Sequence, residues 1–288
     1  MNKVIVIGAN GQLGKKIKDY ASSLVNSEFT YVDIADLDIC DKKAVDAYFR
    51  NNNFNFIINC AAYTAVDNAE DDKDMAEAVN SIAPAHLAEI SKTSNAKFIH
   101  ISTDYVFDGQ ANTPYSEETK TNPVSVYGKT KLDGETTVFK TQNDAIVIRT
   151  SWLYCEYGKN FAKTILKFAK ERDSLNVVFD QIGTPTYAGD LAKAILDIVR
   201  KCAEGNKWES GIYNYSNHGV CSWFDFAVYL VKASNLNTVV NPVLSSEFVT
   251  KANRPPYSVL DKSKIVNTYN LSIPYWTDSC DEMLRKLS

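Results

Sequence analysis

Lys3-Val4-Ile5-Val6-Ile7-Gly8-Ala9-Asn10-Gly11-Gln12-Leu13-Gly14 is the stretch whose reading decides the fold. Its first five residues are a nearly continuous apolar run of strand length, the pattern of a parallel strand covered on both faces. Three glycines at three-residue spacing follow, and the segment after them is helix-compatible. A GxxGxxG match carries little alone; between a strand and a helix it acquires a mechanism. Glycine lets the backbone turn tightly and approach a pyrophosphate, while the helix amino terminus faces the negative charge. Gly8, Gly11, Gln12, Leu13 and Gly14 are therefore candidate dinucleotide contacts. The plain alternative is a strand–turn–helix unit without a ligand.

The next apolar strand, Phe29-Thr30-Tyr31-Val32, ends in Asp33. A carboxylate near this spacing grips the adenosine ribose 2′-OH. It also repels a 2′-phosphate, and no arginine stands beside it. The expectation is NADH in preference to NADPH, with Lys15 and Lys16 pulling the other way. Asp38 and Ile39, in the stretch Asp36-Leu37-Asp38-Ile39, are candidates to frame the adenine. Asp41 reads as the N-cap of a helix over 42–50. The third strand, Phe56-Ile57-Ile58-Asn59-Cys60-Ala61-Ala62, ends in small residues that let a cofactor lie close. Ala61, Ala62 and Tyr63 join the cofactor set. The charge run Glu70-Asp71-Asp72-Lys73-Asp74 marks a solvated loop and the start of a helix over about 75–93, where acids complement the dipole; no function attaches to it.

A fourth strand, Phe98-Ile99-His100-Ile101, leads into Ser102-Thr103-Asp104-Tyr105-Val106-Phe107, which places Thr103 at a strand's carboxyl end. Downstream, Tyr127-Gly128-Lys129-Thr130-Lys131 opens a helical segment. Tyrosine and lysine four apart share one face; Lys129, two residues on, points elsewhere. A free phenol has a pKa near 10 and is a sluggish acid near neutrality. An ammonium one turn away lowers that value. Tyr127 thus reads as proton donor to a carbonyl oxygen, Lys131 as its tuner and a holder of the nicotinamide ribose, and Thr103 as the group aligning the carbonyl. An ordinary exposed Tyr–Lys pair is the bland reading. It loses ground because the glycine loop and the Thr103 strand tip precede the pair.

Strands alternating with helices over residues 1–150 predict an α/β fold with a Rossmann-like, doubly wound parallel sheet that binds the dinucleotide. Residues 151–288 read mainly as a smaller substrate-binding domain, with some segments returning to the first and a ligand cleft between them. The 288 residues are 45% hydrophobic and 23% charged, with net charge −4. That balance gives no reason to expect nucleic-acid binding. No apolar run reaches membrane-spanning length, and a strand follows Met1 at once, leaving no room for a signal peptide. The six scattered cysteines form no Cys-x-x-Cys and the three histidines show no metal-ligand spacing. The expectation is ordinary thiols, structural histidines, no metal, and the cytoplasm.

These residues, together with segments 61–70, 102–108, 126–135, 149–152, 160–164 and 180–186 and Arg254-Pro255, resemble the dTDP-4-dehydrorhamnose reductase family. That family lies within the extended short-chain dehydrogenase/reductase superfamily, and the likeness spans nearly the whole chain. The resemblance implies NAD(P)H-dependent reduction of the 4-keto group of a dTDP-sugar, dTDP-4-dehydro-L-rhamnose, with Thr103, Tyr127 and Lys131 as the catalytic set. It also places Asp104 and Trp152 in the sugar-nucleotide pocket, although a tryptophan after a strand is often core. Arg254, judged from its charge and flanking prolines, is a candidate phosphate contact; a surface salt bridge is the equal alternative. Related 4,6-dehydratases need Asp-Glu after the threonine. Here Tyr105 stands in the glutamate's place, which disfavours elimination. A sugar-nucleotide 4-epimerase and a non-catalytic dinucleotide-binding regulatory subunit are the competing readings. Some members hold Mg²⁺ at a dimer interface through three glutamates. The aligned positions here are Lys16, Gly189 and Lys286, which implies no Mg²⁺ requirement and a monomer or weak homodimer.

Overall fold

The computed structural model describes residues 1–206, 208–248 and 250–287. Its centre is a six-stranded parallel sheet of β1 (Asn2–Ile7), β2 (Ser27–Val32), β3 (Phe56–Asn59), β4 (Lys97–Thr103), β5 (Ala145–Thr150) and β6 (Gly211–Tyr215). The strand order is β6-β5-β4-β3-β1-β2. The chain lays β2 on one side of β1 and then crosses to place β3 on the other. The order therefore reverses at β1/β3, opening a crevice beyond their carboxyl ends.

Alternation along β1 explains its apolar run. Val4 and Val6 enter one core layer with α1 (Gln12–Tyr20). Ile5 and Ile7 enter the other with α2 (Lys42–Asn51) and α3 (Ala83–Thr93). All four are buried, each worth about 1.5–3 kcal/mol. Asp41 caps α2, accepting from the Lys43 and Ala44 amides.

The expected helix over 75–93 divides into Lys73–Glu77, a π-helical turn at Ala78–Ile82, and α3. The wide turn points Asn80 inward, where it touches α4 (Val126–Thr141) through Thr130 at 3.2 Å. A Cβ on Gly134 of α4 would stand 2.1 Å from the Asn80 carbonyl, so only glycine permits this approach. Ser125 caps α4 through the Gly128 amide. Glu70, from the charge run, takes the Val126 amide at 2.9 Å.

Beyond β5 come α5 (Phe161–Glu171), α6 (Ala188–Ala203), α7 (Trp223–Ala233) and α8 (Trp276–Leu287). β6 and α6 lie past residue 150 yet build the central sheet and its α1-side layer. α5, α7 and α8 gather a separate core around Tyr154, Phe226, Leu230, Trp276 and Met283. The sequence reading had no element over 263–287. The structure has helices at Ser263–Tyr269 and Trp276–Leu287, the second burying Trp276, Cys280 and Met283 between charged residues.

One charged pair lies inside this apolar frame. Arg149 on β5 and Glu135 on α4 are each 2% exposed and meet at 2.6 Å. Arg149 Nε also donates to Glu135 at 2.9 Å, and Ser102 on β4 donates to the same carboxylate at 2.5 Å. Removing one partner strands the other's charge. Arg149→Met should therefore cost about 3–5 kcal/mol in urea unfolding, and Glu135→Leu combined with Arg149→Met should recover most of it. A single variant as stable as the parent would show that the pair does not clamp α4.

Candidate active site

The cradle at the sheet's carboxyl edge is built of backbone. Gly8 has φ +78°, and a Cβ there would stand 2.7 Å from the Ala61 amide nitrogen, so the loop after β1 lies directly on the end of β3. The Ala61 amide donates to Asn59 Oδ1 at 3.1 Å. Asn80 brackets Tyr63, accepting from its amide at 2.9 Å and donating to its carbonyl at 3.1 Å. Asp33 stands at the tip of β2, where Oδ2 takes the Asn10 amide at 2.7 Å and Oδ1 the Ile34 amide at 2.9 Å. A cavity of about 340 Å³ opens beside it, lined by Asn10, Lys15, Lys18, Tyr31, Asp36 and Tyr157 among others. A loop that Gly8 lets lie on Ala61, with this cavity beside it, fits a dinucleotide.

The remaining cofactor candidates divide by side chain. Leu13 and Ile39 bury their side chains in opposite core layers. Asp38 accepts from the Cys40 amide and shapes the turn. Gln12 turns toward the second half of the chain, with Oε1 accepting from Asn160 Nδ2 at 2.8 Å. Ala61 and Ala62 are half-buried at the end of β3.

Tyr127 meets Thr103, and Lys131 lies one turn further along α4. Thr103 ends β4, 4% exposed, while Tyr127 and Lys131 project from the first turns of α4 at 9% and 1%. The Tyr127 phenol is hydrogen-bonded to Thr103, and the Tyr105 ring meets it edge-on at 5.5 Å. Lys129 is exposed. Burial raises the Tyr127 pKa above the ordinary phenol value, a rise the Thr103 hydrogen bond opposes. Burial pulls Lys131 down to about 8, opposed by Glu135. Its Nζ donates to the Ile101 carbonyl at 2.6 Å. Desolvation is the largest influence on the Tyr127 phenol, and the Lys131 ammonium is turned to a backbone oxygen.

Asp104 sits 3.0 Å from Thr103 Oγ1, and burial pushes its carboxyl up to about 7 against hydrogen bonds from Ser258 and Thr103. Trp152 takes positive φ and stacks on Trp223 at 3.5 Å between ring centroids. Trp223 and Phe161 line a cavity of about 630 Å³ with Phe168, Arg172, Phe248 and Arg254. Arg254 pairs with Asp67 at 2.8 Å and also lines this cavity, its Nε buried without a hydrogen-bond partner. Among the described residues no group of three or more His, Cys, Asp or Glu is placed to hold a metal.

Sequence reading missed Asn80, Glu135 and Ser258. Nothing marks an amide inside a helical segment as a clamp, but Arg149 in an otherwise apolar strand was a visible signal that a buried acid must meet it.

Comparison with known proteins identifies the family. The family described as "RmlD substrate binding domain" matches residues 1–288. A dTDP-4-dehydrorhamnose reductase of Aggregatibacter actinomycetemcomitans is 38% identical over 282 residues, covering 96% of each chain. The crystal structure of a dTDP-4-dehydrorhamnose reductase from Clostridium acetobutylicum superposes with TM-score 0.93 at 39% identity, covering 99% of each chain. The Bacillus anthracis dTDP-4-dehydrorhamnose reductase, solved in complex with NADP, gives TM-score 0.94 at 36% identity and the same coverage. A dTDP-glucose 4,6-dehydratase at 17% identity and TM-score 0.81 shares the fold. With a glycine cradle, a threonine-tyrosine-lysine cluster and full-length likeness in hand, the chain belongs to the dTDP-4-dehydrorhamnose reductase family.

Proposed function

We propose that the chain reduces the 4-keto group of dTDP-4-dehydro-L-rhamnose to dTDP-L-rhamnose, as an NAD(P)H-dependent oxidoreductase. The observation that carries the reading is the hydrogen bond of Tyr127 to Thr103, with buried Lys131 one turn further along α4. Bound NAD(P)H supplies the hydride for C4. The protein's own task is the oxygen. Burial keeps the Tyr127 phenol protonated, so it is ready to donate to the developing alkoxide. Thr103 aligns the carbonyl by a hydrogen bond, and the Lys131 ammonium, held against the Ile101 carbonyl, supplies positive charge under the site.

The sugar nucleotide extends into the 630 Å³ cavity, where Phe161, Trp223 and Phe248 offer aromatic faces to a base and Arg172 and Arg254 offer charge to a diphosphate. Trp152, stacked on Trp223, forms the wall on the sugar side. Elimination chemistry is disfavoured because burial pushes the Tyr105 phenol up to about 12, leaving no base where a dehydratase needs a carboxylate.

For the cofactor, the Asp33 carboxylate favours the free ribose of NADH. Lys15 and Lys18 on the same cavity moderate that preference, so NADPH is accepted too. Mg²⁺ has no seat at the three aligned positions. Lys16 is held by Asp19 at 2.9 Å and Glu156 at 2.8 Å, Lys286 by Glu282 at 2.8 Å, and Gly189 has no side chain. No described helix is long and apolar enough to cross a membrane. We assign the chain to the cytoplasm, as a monomer or weak homodimer.

Incubation with dTDP-4-dehydrorhamnose and either reduced cofactor should consume nicotinamide absorbance and yield dTDP-rhamnose. Turnover confined to another 4-keto sugar nucleotide would keep the chemistry and discard the substrate. Tyr127→Phe should lower turnover by roughly 10²–10⁴-fold while cofactor binding, read by fluorescence, survives. Steady-state comparison should give a modestly higher kcat/KM for NADH than for NADPH; the reverse order would remove Asp33 as the discriminator. Activity should also withstand EDTA, and loss restored by Mg²⁺ would overturn the lysine argument.

A further inference from the structure

Thr103 has one hydroxyl hydrogen, and three groups meet its oxygen. Its Oγ1 accepts the Tyr105 amide at 3.3 Å, is hydrogen-bonded to the Tyr127 phenol, and lies 3.0 Å from Asp104 Oδ1. A hydroxyl donates once and accepts at most twice, whereas an ionised carboxylate only accepts. Two closed arrangements follow. With Asp104 ionised, Thr103 donates to the carboxylate and accepts from Tyr105 and Tyr127, so the phenol hydrogen points at Thr103. With Asp104 protonated, the acid donates to Oγ1. Thr103 then accepts from Asp104 and Tyr105, and both its own hydrogen and that of Tyr127 are free to meet a keto oxygen.

We propose that Asp104 is a positioning residue: as a neutral carboxylic acid it turns the Thr103 hydroxyl and the Tyr127 phenol toward the substrate oxygen, and on ionisation it turns both away. The inference rests on ketone reduction at Thr103 and Tyr127. Two observations favour the neutral form. Asp104 is 2% exposed, and its Oδ2 is buried with no hydrogen-bond partner, which is costly for a carboxylate and cheaper for an acid's carbonyl oxygen. The carboxyl's pKa, raised by burial to about 7, places the change within the working range. The groups facing it are Thr103 and Tyr105 at the end of β4, Tyr127 from α4, and Ser258 from the carboxyl-terminal segment. The charged pair Arg254–Asp67 stands behind, meeting Tyr105.

The sign is fixed by the geometry. The protonated form is active, so kcat should fall as pH rises through about 7 in the parent. A second limb belongs to Lys131, whose ammonium is lost above about 8. The test is the pH profile of kcat with dTDP-4-dehydrorhamnose in four proteins, with thermal midpoint and cofactor binding read on each. Asp104→Asn keeps a permanent N–H donor toward Thr103, so its kcat at pH 6 should stay within about threefold of the parent, with the lower limb gone. Asp104→Ala should lose roughly ten- to hundredfold in kcat with KM little changed. Ser258→Ala removes a hydrogen bond that lowers the Asp104 pKa, so the lower limb should move to higher pH. An Asn variant that retains the parent's profile, an Ala variant as active as Asn, or an unmoved limb in Ser258→Ala would each overturn the inference. A parent protein that reduces no 4-keto sugar nucleotide would overturn the functional reading, and this inference with it.

Discussion

The clamp of Glu135 on Arg149 is the constraint on which the site depends. α4 packs against β4 and β5, and the buried pair ties it to both strands. Ser102 of β4 donates to the same carboxylate, so helix, strand and neighbouring strand meet at one acid. Lys131 lies one turn before Glu135 and Tyr127 one turn before that, so the register that closes the ion pair also sets the phenol beside Thr103. Arg149 spends its remaining face on the Phe107 ring at 5.1 Å and on the Glu117 carbonyl. Its guanidinium is thereby satisfied without water. Gly134 lets the wide turn before α3 press in from the far side.

Burial then does the electrical work of the site. Desolvation favours the neutral form of each titratable group, and its consequence differs with the group's sign. A phenol held neutral keeps its proton until an alkoxide develops beside it. A lysine drawn down to about 8 needs charged neighbours to stay an ammonium, and Glu135 is the first of these. His100, buried beneath with Nδ1 against Asn59 at 3.1 Å, is driven well below the usual imidazole value by the same burial and by Lys131. It stays neutral and competes for no proton. Its partner Asn59 takes the Ala61 amide, so the strand under Lys131 and the end of β3 beside Gly8 share one amide side chain.

The two ligand regions are joined through residues 155–163. Glu156 pairs with Lys16 of α1, the Tyr157 phenol donates to Asp19, and Asn160 reaches Gln12 of the glycine loop. The same Asn160 caps α5, whose Phe161 lines the larger cavity. The segment bordering the larger cavity is thus bolted to the helix that follows the glycine loop. Lys16, 1% exposed among carboxylates and tyrosine rings, is the main bolt.

The sequence by itself determined whatever is local or periodic. Apolar runs declared the buried parallel strands, because a strand covered on both faces admits few polar residues. Glycine spacing declared the cradle, because only a missing Cβ allows Gly8 to lie on Ala61. The four-residue interval declared that Tyr127 and Lys131 share a helix face. Tertiary structure alone decided the rest, for those facts concern residues far apart along the chain. It put β6 and α6 back into the first sheet, brought Ser258 to Asp104 and Arg254 to Asp67, and set Asn80 against Thr130. It also set the burial of the Tyr127 phenol, because desolvation depends on everything packed around a side chain and not on its neighbours in sequence.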